Sequence, residues 1–387
     1  MLDTIVIEEK KNVKNIAGLH KGELREFISF NSAKANEGDI FFGKITKKIA
    51  TANSKTGYFV NIGNQNVFIN AQEKELEDLN ANEGQDIILQ ITQEARAEKD
   101  ARASRFLQFA GNLLVFCPYG EQLDVSSKIR DEKRRKELYN LMEENTSEGG
   151  WIVRTSAEFC DNADIISEIE TLQKMFTDIL DMAKKISAPA ELWKKDTCIE
   201  DILTRNAKSI TKVVVNNHLI EKSLQEKYDV EYTTKPFETY GIAEQLFSAI
   251  QKEVKLKSGG RIFIEETKAL VAIDVDSSTM SQQGNLNQLN NEAAAEIAKQ
   301  IILRNLSGKI IIDFAGFADW QFLQNPVDIL RDNLRYDAAK SRVLGITKAG
   351  NVEILRSRRR PPLVEYLTTE CTTCQGTGRV ENALSDL

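Results

Sequence analysis

The sequence predicts an α/β protein with several domains. Two short apolar runs, at 269–273 and 310–312, flank a stretch in which apolar residues recur at helical spacing, and this order of strand, helix and strand is typical of a parallel crossover unit. A second segment, at 38–118, alternates apolar and polar residues between glycine turns, which predicts an all-β domain. At 387 residues the chain is long enough for several hydrophobic cores.

An aspartate follows each of the two apolar runs. The first run leads into Asp274 and the second leads into Asp313. Continuous apolar runs favour strands that are buried on both faces, and parallel strands end at the same edge of a sheet, where α/β folds bind ligands. Two carboxylates at one edge repel each other unless a cation lies between them, and Mg²⁺ prefers oxygen ligands. The alternative is that each aspartate caps the loop after its strand, and the pattern alone does not decide.

The composition is ordinary for a globular protein, with 28% charged and 41% hydrophobic residues. No apolar stretch approaches the ~20 residues of a membrane span, and the N-terminus lacks a signal-peptide pattern. Five cysteines with one CxxC pair do not make a disulfide framework, so we expect a cytoplasmic protein. The net charge of −7 argues against indiscriminate nucleic-acid binding, but RNA binding depends on where the basic residues lie.

Four segments around the aspartates match a known family in order. They are Gly259-Gly260, TKALVAID at 267–274, NNEAAAEIAKQIILR at 290–304 and IIDF at 311–314. Together they resemble the catalytic region of the ribonuclease E/G family, and the resemblance extends over nearly the whole chain.

The resemblance implies a particular domain organisation. An RNase H-like subdomain at 1–37 and 191–242 would be interrupted by an OB-fold RNA-binding barrel at 38–118 and a 5′-sensor region at 119–190. A DNase-I-like catalytic subdomain at 243–366 and a zinc-link tail at 367–387 would follow. We expect a short form of the family, without its C-terminal small domain or scaffold tail.

The implied activity is Mg²⁺-dependent endonucleolytic cleavage of single-stranded RNA to 5′-phosphate products, in RNA processing and decay. Asp274 and Asp313 would hold Mg²⁺, and Asp276 would position the attacking water or add an outer contact. The family usually has asparagine at position 276, so this chain carries a third carboxylate there. The alternative function is a catalytically silent RNA-binding or chaperone module, against which the retention of both aspartates argues.

The barrel segment carries the first predicted RNA contacts. Phe59 and Phe68 match the positions at which the family stacks RNA bases, an interaction worth ~1–3 kcal/mol per base in such barrels. The alternative is two core phenylalanines, because alternation does not show which face each takes. Lys99, in the mixed-charge link after the barrel, matches a lysine near the family's RNA path, although most such clusters are solvated surface.

Two further basic groups match family positions. Arg154 and Thr155 correspond to the pair that binds the 5′-monophosphate of RNA, and an arginine fork with a hydroxyl suits a terminal phosphate. Asp124 departs from the glycine-containing motif expected beside this pocket, which puts end-sensing in doubt. Arg356 and Arg358 belong to the densest basic cluster of the chain and would contact RNA near the scissile phosphate.

The tail contains the CxxCxGxG motif that begins at Cys371 and includes Cys374. A structural Zn²⁺ takes four ligands, so the simplest completion is the same pair from a second copy across a two-fold axis. The resembled family is built this way, and we expect a homodimer with one shared Zn²⁺. A surface thiol pair without metal and a chaperone-type zinc element are the alternatives.

Overall fold

The computed structural model describes residues 2–387 except 51–55, 71–80, 96–99, 196–197, 278–282, 317–319, 336, 375, 377, 379 and 381–387. Two compact units are formed, one by residues 1–29 with 206–387 and the other by residues 30–205.

The described strands, in chain order, are β1 (Thr4–Lys10), β2 (Val13–His20), β3 (Glu23–Asn31), β4 (Ile40–Ala50), β5 (Thr56–Asn61), β6 (Asn66–Asn70), β7 (Asp86–Gln93), β8 (Ala101–Ser104), β9 (Phe109–Ala110), β10 (Leu114–Cys117), β11 (Leu123–Val125), β12 (Gly150–Val153), β13 (Ala190–Trp193), β14 (Lys212–Val215), β15 (Val230–Tyr232), β16 (Glu253–Lys255), β17 (Arg261–Glu266), β18 (Val271–Asp276), β19 (Gly308–Asp313), β20 (Arg342–Ile346) and β21 (Val352–Arg356). The described α-helices are α1 (Glu132–Asn145), α2 (Asn162–Ala183), α3 (Cys198–Asn206), α4 (His218–Leu224), α5 (Pro236–Thr239), α6 (Ile242–Ala249), α7 (Gln283–Leu303), α8 (Trp320–Leu334) and α9 (Leu363–Leu367), and a 3₁₀ helix covers Thr155–Phe159.

The first sheet of the larger unit joins two distant parts of the chain. Its strand order is β15-β14-β1-β2-β3, and β1 pairs parallel to β14. The entire 30–205 unit is therefore inserted between strands of one sheet. Fully buried Val6, Ala17 and Val214 pack this sheet against a cluster that includes Ile242.

The first five strands of the segment predicted as all-β, β4 to β8, form a closed barrel, whereas its last two strands, β9 and β10, belong to another sheet. The barrel strands follow the order β4-β5-β6-β8-β7, and a further β4–β7 pairing closes the barrel. Inward-facing Tyr58, Val60, Val67 and Leu89 are at most 1% exposed, so the alternating pattern of the sequence is the alternation of inner and outer faces. This confirms an OB-like barrel.

A four-stranded sheet with two helices completes the 30–205 unit. Its order is β11-β12-β10-β9, and its core is built around Trp151, which stacks on Phe116 with ring centroids 4.3 Å apart. Helix α1 begins at Asp131, whose carboxylate accepts hydrogen bonds from the amides of Lys133 and Arg134.

The predicted strand–helix–strand unit lies at the centre of a six-stranded sheet of order β16-β17-β18-β19-β21-β20. Strands β18 and β19 are parallel, as predicted, and α7 connects them. Leu289, Ala293 and Ile297 of α7 pack with Val327 of α8 into the core of this sheet.

The expectation that these strands are buried on both faces is wrong. Val271, Ile273 and Val275 of β18 are buried, whereas Ala272 and Asp274 between them are exposed. Helices α7 and α8 pack against the buried face of β18. The opposite face is exposed, and the small Ala272 tolerates solvent there, so burial alternates along the strand even though the run is apolar.

None of the described helices has the length and apolarity needed to cross a bilayer.

Candidate active site

The two predicted aspartates lie directly opposite each other on neighbouring strands. Asp274 of β18 pairs in register with Asp313 of β19, and Phe263 of β17 is the cross-strand partner of Asp274 on the other side. Adjacent strands are about 4.8 Å apart, so both carboxylates leave the same exposed face of the sheet side by side. The interpretation of each aspartate as an independent loop cap does not account for this register.

The electrostatics of the pair are unfavourable for two charges. The pKa of Asp274 is raised, first by partial burial and then by the negative charges of Asp313 and Asp276. Asp276 follows on the same face of β18 and forms an ion pair with Arg261 of β17, with Nη2 and Oδ2 3.3 Å apart. A divalent cation between Asp274 and Asp313 would relieve the repulsion that raises this pKa.

The donor set suits Mg²⁺. Within the part of the chain that the structure describes, no three His, Cys, Asp or Glu side chains converge on one point. Two carboxylates facing solvent are nevertheless a common protein contribution to a Mg²⁺ site, because this ion keeps several waters and takes further oxygens from substrate phosphates.

A second group of predicted residues lies on the outer face of the barrel. Phe59 and Phe68 are direct cross-strand partners with ring centroids 5.2 Å apart, and both are partly exposed rather than part of the barrel core. The row continues at both ends, since Lys47 pairs with Phe59 and Arg102 pairs with Phe68. Both basic residues are exposed, and neither forms an ion pair with any residue described. Sequence reasoning missed both residues, because only the register between strands places them in this row.

The predicted Arg-Thr pair follows strand β12. Thr155 exchanges a hydrogen bond with the Ser126 hydroxyl at 2.9 Å, and the Arg154 guanidinium donates to the Gly111 carbonyl. The structure therefore brings Arg154, Thr155 and Ser126 together at the end of β12. Asp124 is exposed on the neighbouring strand β11, opposite Ile152.

Arg356 does not fit its predicted role as an RNA contact. Its side chain is 4% exposed and forms a two-pronged ion pair with Asp337, with Nε–Oδ2 at 2.8 Å and Nη2–Oδ1 at 3.0 Å. The remaining nitrogen donates to Asn305 Oδ1 and to the Leu306 carbonyl, each at 2.8 Å. Arg356 is therefore a structural residue, whereas Arg358 is partly exposed and donates to the Ser307 hydroxyl at 3.3 Å.

Comparison with known proteins decides the family. The model of the ribonuclease E/G family matches residues 108–359, which is more than half of the chain and includes Asp274 and Asp313. The chain belongs to the ribonuclease E/G family. It is 30% identical to ribonuclease G of Haemophilus influenzae, over 96% of this chain and 82% of that protein.

Two other similar proteins are also named as ribonucleases of this family. Ribonuclease G of Escherichia coli K12 is 29% identical over 77% of this chain and 65% of its own length. Ribonuclease E of Synechocystis is 28% identical over 97% of this chain and 60% of its own length. The chain thus spans less than two thirds of these two relatives. Family and relatives confirm the prediction of an endoribonuclease.

The tail of this ribonuclease E/G family member contains a turn with two thiols. Cys371 is exposed and Cys374 is partly exposed. Hydrogen bonds from the backbone amides of Cys374 and Thr373 lower the pKa of the Cys371 thiol. Backbone amides that point at a thiolate are compatible with metal binding, because the thiolate is the form that binds zinc. Lys99 lies outside the described residues.

Proposed function

We propose that this protein is an Mg²⁺-dependent endoribonuclease that cleaves single-stranded RNA and leaves 5′-phosphate products. The observation that carries the proposal is the register of Asp274 with Asp313 on an exposed sheet face, together with the raised pKa of Asp274. Isolated loop caps need no such alignment.

Asp274 and Asp313 would hold the ion. When bound, Mg²⁺ neutralises charge on the scissile phosphate and activates water for attack. Asp276 would accept a hydrogen bond from the attacking water, and its ion pair with Arg261 would orient that carboxylate. Attack of water on phosphorus would form a new P–O bond and break the P–O3′ bond. The leaving 3′-oxygen would take up a proton to become the 3′-hydroxyl of the upstream fragment, and the phosphate would remain on the 5′ end of the downstream fragment.

The outer face of the barrel would bind the RNA strand. Bases stack on Phe59 and Phe68, while Lys47 and Arg102 at the two ends of the row contact phosphates on either side. The row spans three strand spacings, about 14 Å. A row with rings at its centre and cations at its ends suits an unpaired strand, because a duplex keeps its bases stacked inside.

Arg154 and Thr155 would recognise the 5′-monophosphate end of RNA. The guanidinium and the hydroxyl both lie at the end of β12, where they could bind one phosphate group. The exposed Asp124 carboxylate on β11 adds negative charge to the same small sheet, and we expect it to weaken this end preference.

Assembly would depend on the tail. We propose that Cys371 and Cys374 of two copies bind one Zn²⁺ and link a homodimer, because a pair of thiols leaves a four-ligand site half filled. The proposed setting is the cytoplasm, where such an enzyme would act in RNA processing and in messenger RNA decay.

Cleavage of a 5′-monophosphorylated single-stranded RNA, with Mg²⁺ or with EDTA, tests the proposed function. Asp274→Asn and Asp313→Asn should each abolish Mg²⁺-dependent cleavage and leave RNA affinity nearly unchanged. Glu265→Gln is the matched control, because Glu265 is an exposed acid two positions from Phe263 on the same face of β17, and its pair is Lys252. Binding without cleavage in the wild type would identify a silent RNA-binding module.

A further inference from the structure

We propose that Glu168 positions the 5′-end pocket and thereby sets the preference for RNA that carries a 5′-monophosphate. Its carboxylate fixes a hairpin loop, and the opposite side of that loop orients Arg154. The inference rests on the proposed ribonuclease function and concerns the regulation of cleavage by the RNA 5′ end.

The loop at 111–113, between β9 and β10, holds the segment that carries Arg154 and Thr155. The guanidinium of Arg154 donates to the Gly111 carbonyl, and the Arg154 amide donates to the Leu113 carbonyl at 2.8 Å. The Ser156 hydroxyl donates to the next carbonyl, that of Asn112. Three consecutive carbonyls of one loop therefore hold the segment that carries the proposed phosphate-binding side chains.

Glu168 holds the same loop from the other direction. Its Oε1 atom accepts hydrogen bonds from the amides of Leu113 and Leu114, at 2.8 and 2.9 Å. The carboxylate comes from α2, whose Ile165 and Ile169 are buried in the hydrophobic core. A side chain on a core-packed helix thus fixes the amide side of the loop, and the carbonyl side of the same loop orients Arg154.

The packing between Glu168 and the loop is close. A Cβ atom at Gly111 would lie 2.1 Å from Glu168 Oε1, so any side chain at position 111 must displace the carboxylate. Such a substitution keeps the backbone carbonyl that accepts from Arg154. Gly111→Ala therefore displaces the Glu168 carboxylate from the loop while Glu168 and Arg154 themselves keep their identities.

Orientation matters here because a guanidinium binds a phosphate through directed hydrogen bonds. A displacement of about 1 Å can reduce the rate of a positioned reaction by about 100-fold. The aspartate pair belongs to the other compact unit, so loosening the loop changes the response to the RNA end and leaves cleavage chemistry intact.

The test compares kcat/KM for one single-stranded RNA sequence with a 5′-monophosphate or a 5′-hydroxyl. Glu168→Ala and Gly111→Ala should each reduce the ratio of kcat/KM for the 5′-monophosphate RNA to kcat/KM for the 5′-hydroxyl RNA by about tenfold or to unity. The value of kcat/KM for the 5′-hydroxyl RNA should stay within about twofold of wild type. Glu168→Gln should keep the ratio, because both hydrogen bonds end on one oxygen that the amide retains. Glu170→Ala, an exposed acid on the same helix, is the control. The double variant that combines Glu168→Ala with Gly111→Ala should show the same ratio as either single variant, because both changes remove the same contact.

An unchanged ratio in a folded Glu168→Ala protein overturns the proposal, and so does an equal loss on both RNAs, which would indicate a purely structural role. A wild type that does not distinguish the two ends also overturns it, while Mg²⁺-dependent cleavage of the 5′-hydroxyl RNA would leave the ribonuclease function standing. If Glu168→Ala does not fold, a low ratio in Gly111→Ala with a normal ratio in Glu168→Gln supports the proposal, and any other pair of results refutes it.

Discussion

The buried ion pair between Arg356 and Asp337 leads to a sharp prediction about Arg356→Met. The substitution removes four hydrogen bonds and leaves the Asp337 carboxylate, whose side chain is 2% exposed, with hydrogen bonds from the Ser341 hydroxyl and the Ala339 amide. Breaking one side of a buried pair typically costs about 3–5 kcal/mol, because the remaining charge stays desolvated. We expect a loss of that size in the free energy of unfolding.

Urea unfolding followed by tryptophan fluorescence measures this loss. Arg359→Met is the matched control, since Arg359 is exposed and donates a hydrogen bond to the Ala338 carbonyl at 3.1 Å, so the loss of free energy of unfolding should stay within about 0.5 kcal/mol. A variant with wild-type stability and weakened RNA binding would refute the structural role of Arg356 and restore the sequence-based prediction.

The same pair predicts a dependence of stability on pH. Burial alone would raise the pKa of Asp337, but its hydrogen bonds and the charge of Arg356 outweigh burial and lower the pKa. Because the folded pKa lies below the unfolded value of about 3.9, the stabilisation is complete above that value and is lost as pH falls through the folded pKa. The stability difference between wild type and Asp337→Asn should therefore shrink below about pH 4, and a constant difference would contradict this account.

Three further predictions concern the other sites. Phe59→Ala and Phe68→Ala should each weaken binding of single-stranded RNA by about 1–3 kcal/mol and change the melting temperature little, because both rings lie on the outer face of the barrel; the opposite ranking in binding and melting assays would place them in the core. Asp276→Asn should keep kcat/KM within about tenfold of wild type, and complete loss would make Asp276 an essential ligand. Replacing Cys371 and Cys374 by serine should remove bound zinc and convert dimers to monomers; a double variant that still scatters light as a zinc-containing dimer would exclude the shared site.

The sequence predicted the central geometry because that geometry depends on short segments. Two apolar runs joined by one helix determine that β18 and β19 are parallel neighbours, and the aspartate that ends each run then falls in register. The barrel was predictable for the same reason, since alternation along a strand is a local property. The alternating burial along β18 was not predictable, because it depends on which elements cover each face of the sheet.

Residues that act over long sequence distances escaped prediction. Arg356 looked like part of a basic surface cluster, and only the fold brings Asp337 to it. Glu168 looked like one more acid on an amphipathic helix, although its partners Leu113 and Leu114 are 55 and 54 residues away. Long-range polar pairs leave no periodic trace in a sequence, so contacts of this kind become visible only with the three-dimensional arrangement.

The strict alternation of β18 separates two tasks within one strand. Val271, Ile273 and Val275 belong to the hydrophobic core, while Asp274 and Asp276 alternate with them on the opposite face and carry the charge. A change at one of these aspartates removes no buried methyl group and opens no cavity. Inactive variants of this protein should therefore remain well folded, and they are suitable for trapping intact RNA on the enzyme for structure determination.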